Sequence, residues 1–174
     1  MVETVATGVT GLDEILNGGL VKDATVLVSG NPGTGKSLFG IQYLYTGVAD
    51  HDERGIYISF EEDASAIREA ATSIGFEEFG EMVDDGEIQI YDKTEMLRES
   101  DFNATLETLL EDFADTSYDR LVFDSLTMFQ LFFDDEAEER TYLLKFSDIL
   151  KRNGLTSLLI TEQGAVFPET ELGL

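Results

Sequence analysis

The sequence predicts an α/β fold with a mainly parallel central sheet and helices on both faces. Three observations carry this. Short apolar runs rich in β-branched residues alternate with segments of helical spacing from residue 25 to residue 161. Those runs are continuously apolar instead of alternating, the pattern of strands covered on both faces. A glycine-rich loop joins the first run directly to a helical segment, and strands separated by helices of this length imply βαβ units.

The elements follow in order. Thr25-Val26-Leu27-Val28, bounded by Asp23 and Gly30, reads as a buried strand. Ser37 to Ala49 reads as a helix with Leu38, Ile41, Leu44 and Tyr45 on one side. Ile56 to Phe60 is the second strand. Ile67, Ala70, Ala71 and Ile74 then keep helical spacing, and Gly75 stops that helix. Ile88 to Tyr91 is the third strand, and Leu106, Leu109, Leu110 and Phe113 form a further helical stripe. Leu121-Val122-Phe123, closed by Asp124, is the fourth strand. A longer helix runs from Glu136 to Asn153, with Lys151 and Arg152 in its last turn and Gly154 as cap. Leu155 to Thr161 is the fifth strand.

The 174 residues suit one domain, taken as 1–174, able to bury roughly 70% of its unfolded surface. No linker, repeat or low-complexity tract divides it. Cysteine is absent, which excludes disulfides, thiol nucleophiles and cysteine-ligated metals. His51 is the single histidine, and Asp50 to Gly55 reads as a polar turn, so His51 is expected on a surface loop. No signal peptide is visible after Met1, and no apolar stretch nears the roughly 18 residues of a spanning helix. The expectation is a soluble, cytoplasmic protein without a membrane partner.

Eleven basic against 36 acidic residues give a net charge of −25. Such a surface repels nucleic acid and anionic membranes. It also suits a salt-rich cytoplasm, because at molar salt the Debye length is only about 3 Å and exposed carboxylates cease to repel one another. The acidic residues are dispersed along the whole chain, which favours the halophilic reading.

Gly30-Asn31-Pro32-Gly33-Thr34-Gly35-Lys36-Ser37 matches G-x-x-x-x-G-K-[ST] in full. The glycines let the backbone curl so that successive N–H groups face one anion. The helix that starts there adds its positive end. In this motif the lysine ammonium reaches the β/γ-phosphates and the serine hydroxyl ligates Mg²⁺. Candidate nucleotide-binding positions are therefore Asn31, Pro32, Gly33, Thr34, Gly35, Lys36, Ser37 and Leu38, with Lys36 also counted as catalytic and Ser37 as a metal ligand.

A phosphate loop needs a second carboxylate for the Mg²⁺ water shell. Asp124 is the candidate, because parallel strands end on one edge of the sheet, the edge that carries the loop. Glu61-Glu62 follows the second strand and reaches the same edge. A glutamate there can polarise the water that attacks the γ-phosphate; alternatively the pair opens the next helix, where acids are favoured. Thr161-Glu162 ends the fifth strand at that edge and is a candidate γ-phosphate sensor.

From Thr7-Gly8-Val9-Thr10-Gly11-Leu12-Asp13 through Asn17-Gly18-Gly19-Leu20 to the phosphate loop, the sequence resembles the opening of a KaiC-like ATPase of the RecA superfamily. Ser59-Phe60-Glu61-Glu62, Phe123-Asp124-Ser125 and Leu159-Ile160-Thr161-Glu162 follow in the family's order. With this acidity the chain looks like a haloarchaeal member. The resemblance implies a RecA-like P-loop NTPase fold, with the Thr161 strand between the phosphate-loop and Asp124 strands. It implies ATP and Mg²⁺ binding, a catalytic base at Glu61 or Glu62, and homo-oligomeric rings or filaments with ATP at subunit interfaces. Only one ATPase domain is present, whereas the family's cyanobacterial clock member has two, so a clock function is not implied. RecA-like domains usually continue with C-terminal strands whose basic residues reach a neighbour's ATP site. The sequence is expected to lack those strands, as a fragment or as a chain that needs a partner or hydrolyses slowly.

Three functions follow from this reading. One is Mg²⁺-dependent ATP hydrolysis in a regulatory or assembly role. The second is an ATP-dependent switch that binds a protein partner and hydrolyses slowly or not at all. The third, a recombinase-type DNA-dependent ATPase, is disfavoured by the scattered basic residues and by the salt sensitivity of phosphate contacts. Met128 to Phe133 is too apolar for a free loop and is expected in the core or at a subunit interface.

Overall fold

A computed structural model describes residues 2–93 and 117–162. The chain opens with β1 (Thr4–Val5), a short helix α1 (Leu12–Ile15) and β2 (Leu20–Val21), with β1 and β2 paired antiparallel. Then come β3 (Thr25–Gly30), α2 (Lys36–His51), β4 (Gly55–Ser59), α3 (Ala64–Ser73), α4 (Phe79–Asp84) and β5 (Ile88–Asp92). The second half holds β6 (Arg120–Asp124), α5 (Leu126–Phe129), a 3₁₀ turn over Gln130–Phe132, α6 (Glu136–Arg152) and β7 (Thr156–Glu162).

The strands β3 to β7 form one sheet in the order β3-β7-β6-β4-β5, and every pair in it is parallel. β7 lies between the phosphate-loop strand and the Asp124 strand, as the resemblance implied. Because successive strand residues point to opposite faces, the sheet builds two cores. Ile56, Ile58, Leu121 and Phe123 pack with Leu143, Phe146 and Leu150 of α6. Tyr57, Val122, Leu158 and Ile160 pack with Ile41 and Leu44 of α2 and with Ile67 and Ala71 of α3. Helices thus cover both faces, and each fully buried large side chain contributes roughly 1.5–3 kcal/mol of hydrophobic burial.

Local chemistry sets the helix ends. Asp63 caps α3 by accepting from the Ala66 N–H at 2.8 Å, and Asp135 caps α6 through the Ala137 N–H at 2.9 Å. Helix α6 carries Glu136, Glu138 and Glu139 in its first turn and Lys151 and Arg152 in its last, matching its dipole.

One buried cation ties three parts of the chain together. Arg120 is 1% exposed. Its Nε donates to Glu53 at 2.5 Å, and its Nη1 donates to the carbonyls of Ala6 at 2.8 Å and Tyr43 at 2.7 Å. The guanidinium also lies 4.6 Å from the centre of the Tyr43 ring. Gly47 makes room for it, since a Cβ there would sit 2.5 Å from Arg120 Nε.

The structure corrects several expectations. β3 is an edge strand among the described residues, and Leu27, which points to the face opposite Val26 and Val28, is 41% exposed. His51 closes α2 instead of sitting in a loop, although it is exposed as expected. Glu61 and Glu62 do not open α3, since the capping residue is Asp63. Of the stretch 128–133, Met128, Phe132 and Phe133 pack against the α6 core while Leu131 is 71% exposed. The stripe Leu106 to Phe113 lies outside the described residues.

Candidate functional site

The phosphate loop follows β3 and runs into α2. Asn31, Pro32, Gly33, Thr34 and Gly35 are exposed, and Lys36, Ser37 and Leu38 are half-buried in the first turn of the helix. Gly33 and Gly35 have φ of 76° and 90°, left-handed values that a side chain disfavours. They let the chain curl into a nest of N–H groups at the helix start. Thr34 closes the loop by donating to the Asn31 carbonyl at 2.8 Å. The Lys36 ammonium folds back across it and donates to the carbonyls of Gly30 and Asn31, both at 2.9 Å.

Beside the loop, three elements meet at one carboxylate oxygen. Ser37 Oγ donates to Asp124 Oδ2 at 2.6 Å, and Tyr57 Oη donates to the same Oδ2 at 2.6 Å. Asp124 is 5% exposed. Tyr57 was not anticipated as a site residue. Its one signal was a hydroxyl inside an apolar strand, which must find a buried partner. Burial, and then the charge of Asp124, push the Tyr57 phenol well above its ordinary range, so it stays protonated and donates.

Ser125 reaches Glu61, donating through Oγ to Glu61 Oε1 in a short hydrogen bond. This anchors the Glu61 carboxylate to the residue that follows Asp124 in the chain, while the Glu62 charge is felt by the Tyr57 phenol that bonds to Asp124. Glu62 is held by its backbone: its N–H donates to Ser59 Oγ at 3.0 Å, and Ser59 Oγ donates to its carbonyl at 2.6 Å. Ser59 itself pairs with Asp124 across β4 and β6. Both glutamates are exposed.

Thr161 and Glu162 lie opposite Ser29 and Gly30, at the mouth of the phosphate loop. Thr161 is buried, and the Glu162 N–H donates to Thr127 Oγ1 at 3.0 Å. All the candidate residues therefore gather at one sheet edge.

The N-terminal turn is latched to this region. Asp13 accepts from the Thr7 N–H at 2.8 Å, the Thr7 hydroxyl at 2.7 Å and the Gly8 N–H at 3.1 Å. Gln42 of α2 donates to the Gly8 carbonyl at 2.6 Å. Between this turn and α2 opens an apolar cavity of about 570 Å³, lined by Val9, Leu12, Leu38, Phe39 and Phe76 among others and bordered by Gly35 of the loop.

The donor set fits Mg²⁺ and a polyphosphate. Mg²⁺ prefers hard oxygen ligands, keeps several waters and takes only one or two carboxylates when phosphates complete its shell. Ser37 and Asp124 offer that combination. Among the described residues no cluster of three or more acidic or histidine side chains forms a self-sufficient metal cage. The nest, the helix start and Lys36 supply positive potential within a strongly negative chain.

A parallel sheet with this strand order, a phosphate loop between β3 and α2, and helices on both faces define a RecA-type domain. The KaiC-like protein of Pyrococcus horikoshii has a similar structure, with a TM-score of 0.79 and 33% identity, over 93% of this chain and 71% of that one. A family model described as "ATPase: KaiC" matches residues 5–171, and the chain belongs to that family. A UPF0273 protein of Pyrococcus furiosus is 34% identical over 93% of this chain and 69% of its own length. The circadian clock oscillator protein KaiC of Thermostichus vulcanus is 32% identical over 93% of this chain, which spans only 32% of that protein. Among the described residues no helix is long and apolar enough to cross a membrane.

Proposed function

We propose that this chain, read as one domain over 1–174, binds ATP with Mg²⁺ and hydrolyses its β–γ phosphoanhydride. The observation that carries the reading is the convergence of Ser37 and Asp124 beside the phosphate loop. In this reading Asn31 to Ser37 wrap the phosphates and Lys36 leaves its loop carbonyls to meet the β/γ-phosphates. The apolar cavity beyond Gly35 and Leu38 takes the base, with Phe39 and Phe76 as its aromatic walls. Ser37, and Asp124 through water, would hold Mg²⁺, which would supply charge neutralisation at the phosphate oxygens.

Glu61 serves as general base. It takes a proton from water as the water oxygen bonds to the γ-phosphorus, the bridging P–O bond breaks and ADP leaves with its electrons. The Ser125 hydroxyl supports this assignment by donating to the Glu61 carboxylate from the residue next to Asp124 in the chain. Glu62 is fixed by its backbone to Ser59, which leaves its carboxylate as the alternative base. Thr161 and Glu162, level with the start of the loop, sense the γ-phosphate.

The protein acts in the cytoplasm in a regulatory or assembly role, as a homo-oligomer or with a protein partner. Its charge is a halophilic adaptation. ATP turnover and binding in molar KCl test the reading. Lys36→Ala must lose ATP affinity; equal affinity overturns the phosphate-loop assignment. ATP binding without turnover in the wild type replaces hydrolysis with the slow switch, and turnover stimulated by DNA restores the recombinase reading.

A further inference from the structure

Two tyrosines are buried in the core on the α2 face of the sheet, Tyr43 at 0% and Tyr57 at 1% exposure. Each hydroxyl needs a partner there. Tyr43 takes the ordinary solution, donating to the Thr156 backbone carbonyl at 2.9 Å. Tyr57 donates to the Asp124 carboxylate. The sheet register explains how it reaches. Tyr57 of β4 lies directly opposite Val122 of β6, so Asp124, two residues further on the same face, is its diagonal neighbour. Diagonal cross-strand positions are within reach of an aromatic side chain.

A carboxylate at a strand end can rotate about its χ angles. Here two hydroxyls on different elements, Ser37 on α2 and Tyr57 on β4, both grip Oδ2. That leaves Oδ1 as the oxygen neither hydroxyl engages. A group that ligates Mg²⁺ has its own role to play when the ion is bound, so the Ser37 contact does not hold the carboxylate in every state. The Tyr57 contact comes from the core side, and its phenol is not a candidate ligand.

We infer that Tyr57 is a positioning residue for the Mg²⁺ site, fixing the Asp124 carboxylate through its hydroxyl so that the carboxylate faces the metal's water shell. The inference rests on the ATP–Mg²⁺ reading above and adds to it a residue that touches neither nucleotide nor metal. Outer partners of metal-site carboxylates commonly govern metal affinity in this way.

The test is Mg²⁺-dependent binding of a fluorescent N-methylanthraniloyl ATP in molar KCl, measured across an Mg²⁺ titration and again in EDTA. Tyr57→Phe removes one oxygen and keeps the ring. It should weaken the apparent Mg²⁺ affinity by about 10- to 100-fold, while nucleotide affinity in EDTA stays at the wild-type value. Tyr57→Met, which also lacks the hydroxyl, should show the same shift in a different packing. Tyr43→Phe, an equal deletion in the same core, should leave both readings unchanged. In an Asp124→Asn background, Tyr57→Phe should add nothing. An unaltered Mg²⁺ titration in Tyr57→Phe overturns the inference. So does an equal loss in EDTA or in Tyr43→Phe, since either would mark a merely structural effect. A wild type that binds no nucleotide overturns the functional reading and this inference with it; Mg²⁺-dependent binding in the wild type with no response to Tyr57→Phe overturns this inference alone.

Discussion

Ser37 donates to Oδ2 of Asp124 at 2.6 Å although 87 residues separate them. The contact joins the first turn of α2 to the end of β6, and the parallel sheet makes it possible by bringing β3 and β6 to one edge on either side of β7. Removing either group should separate metal binding from phosphate binding. Ser37→Ala and Asp124→Asn are each expected to lower Mg²⁺-supported ATP affinity at least about tenfold while EDTA-resistant binding persists. Titration calorimetry with and without the chelator checks this.

Glu61 and Glu62 are adjacent, yet Glu61 is the one whose carboxylate is held by Ser125, the residue after Asp124. Glu61→Gln should cut turnover by about 10²–10⁴-fold, the usual loss of a general base, with ATP binding retained. Glu62→Gln should keep most of the activity, because its backbone contacts to Ser59 survive the change. Phosphate release under saturating ATP distinguishes them. Loss in Glu62→Gln alone reverses the assignment.

Arg120 bridges Glu53, Ala6 and Tyr43 from inside the protein, so its removal strands a carboxylate and two carbonyls. Arg120→Ala should destabilise the fold by about 3 kcal/mol or more, the scale for breaking a buried ion pair. Gly47→Ala should destabilise through the same side chain by displacing it. Urea unfolding measures both, and the two losses should fall short of additivity because they act on one group.

Asp13 gives a pH-dependent term. Burial opposes its charge, but the Thr7 N–H and hydroxyl and the Gly8 N–H outweigh it and hold its pKa below the ordinary 3.8. A depressed carboxylate pKa stabilises the fold above that ordinary value, and the contribution is lost as pH falls through the lower folded one. Asp13→Asn should therefore be less stable than wild type near neutrality, with the gap closing below pH 3.8. A stability gap that widens in acid would contradict the latch.

The net charge of −25 predicts salt dependence. Raising KCl shortens the Debye length from about 10 Å at 0.1 M to about 3 Å at 1 M, which quenches repulsion among exposed carboxylates. The thermal midpoint should rise steadily over that range. A flat or falling midpoint would argue against the halophilic reading.

Much of the fold was legible because its signals are local. Thr25 to Val28, Ile56 to Phe60, Leu121 to Phe123 and Leu155 to Thr161 announce strands by continuous apolar, β-branched runs. Gly75 and Gly154 announce helix ends. The hairpin of β1 and β2 was not legible, since two-residue strands carry no period. The edge position of β3 among the described strands was not legible either. A strand reads the same whether one or both of its edges are paired, and edge position is a property of strand order.

By itself the sequence determined the alternation of strands and helices, the phosphate loop, and the set of polar residues at strand ends. These depend on spacing within a few residues, where backbone geometry leaves little choice. Only the tertiary structure decided which of those residues meet. It brought Ser37 and Tyr57 to one oxygen of Asp124, set Glu61 apart from Glu62 through Ser125, and drew Arg120 under Gly47. Such contacts depend on register between strands far apart in the chain, and a shift of one residue would turn Tyr57 to the opposite face of the sheet.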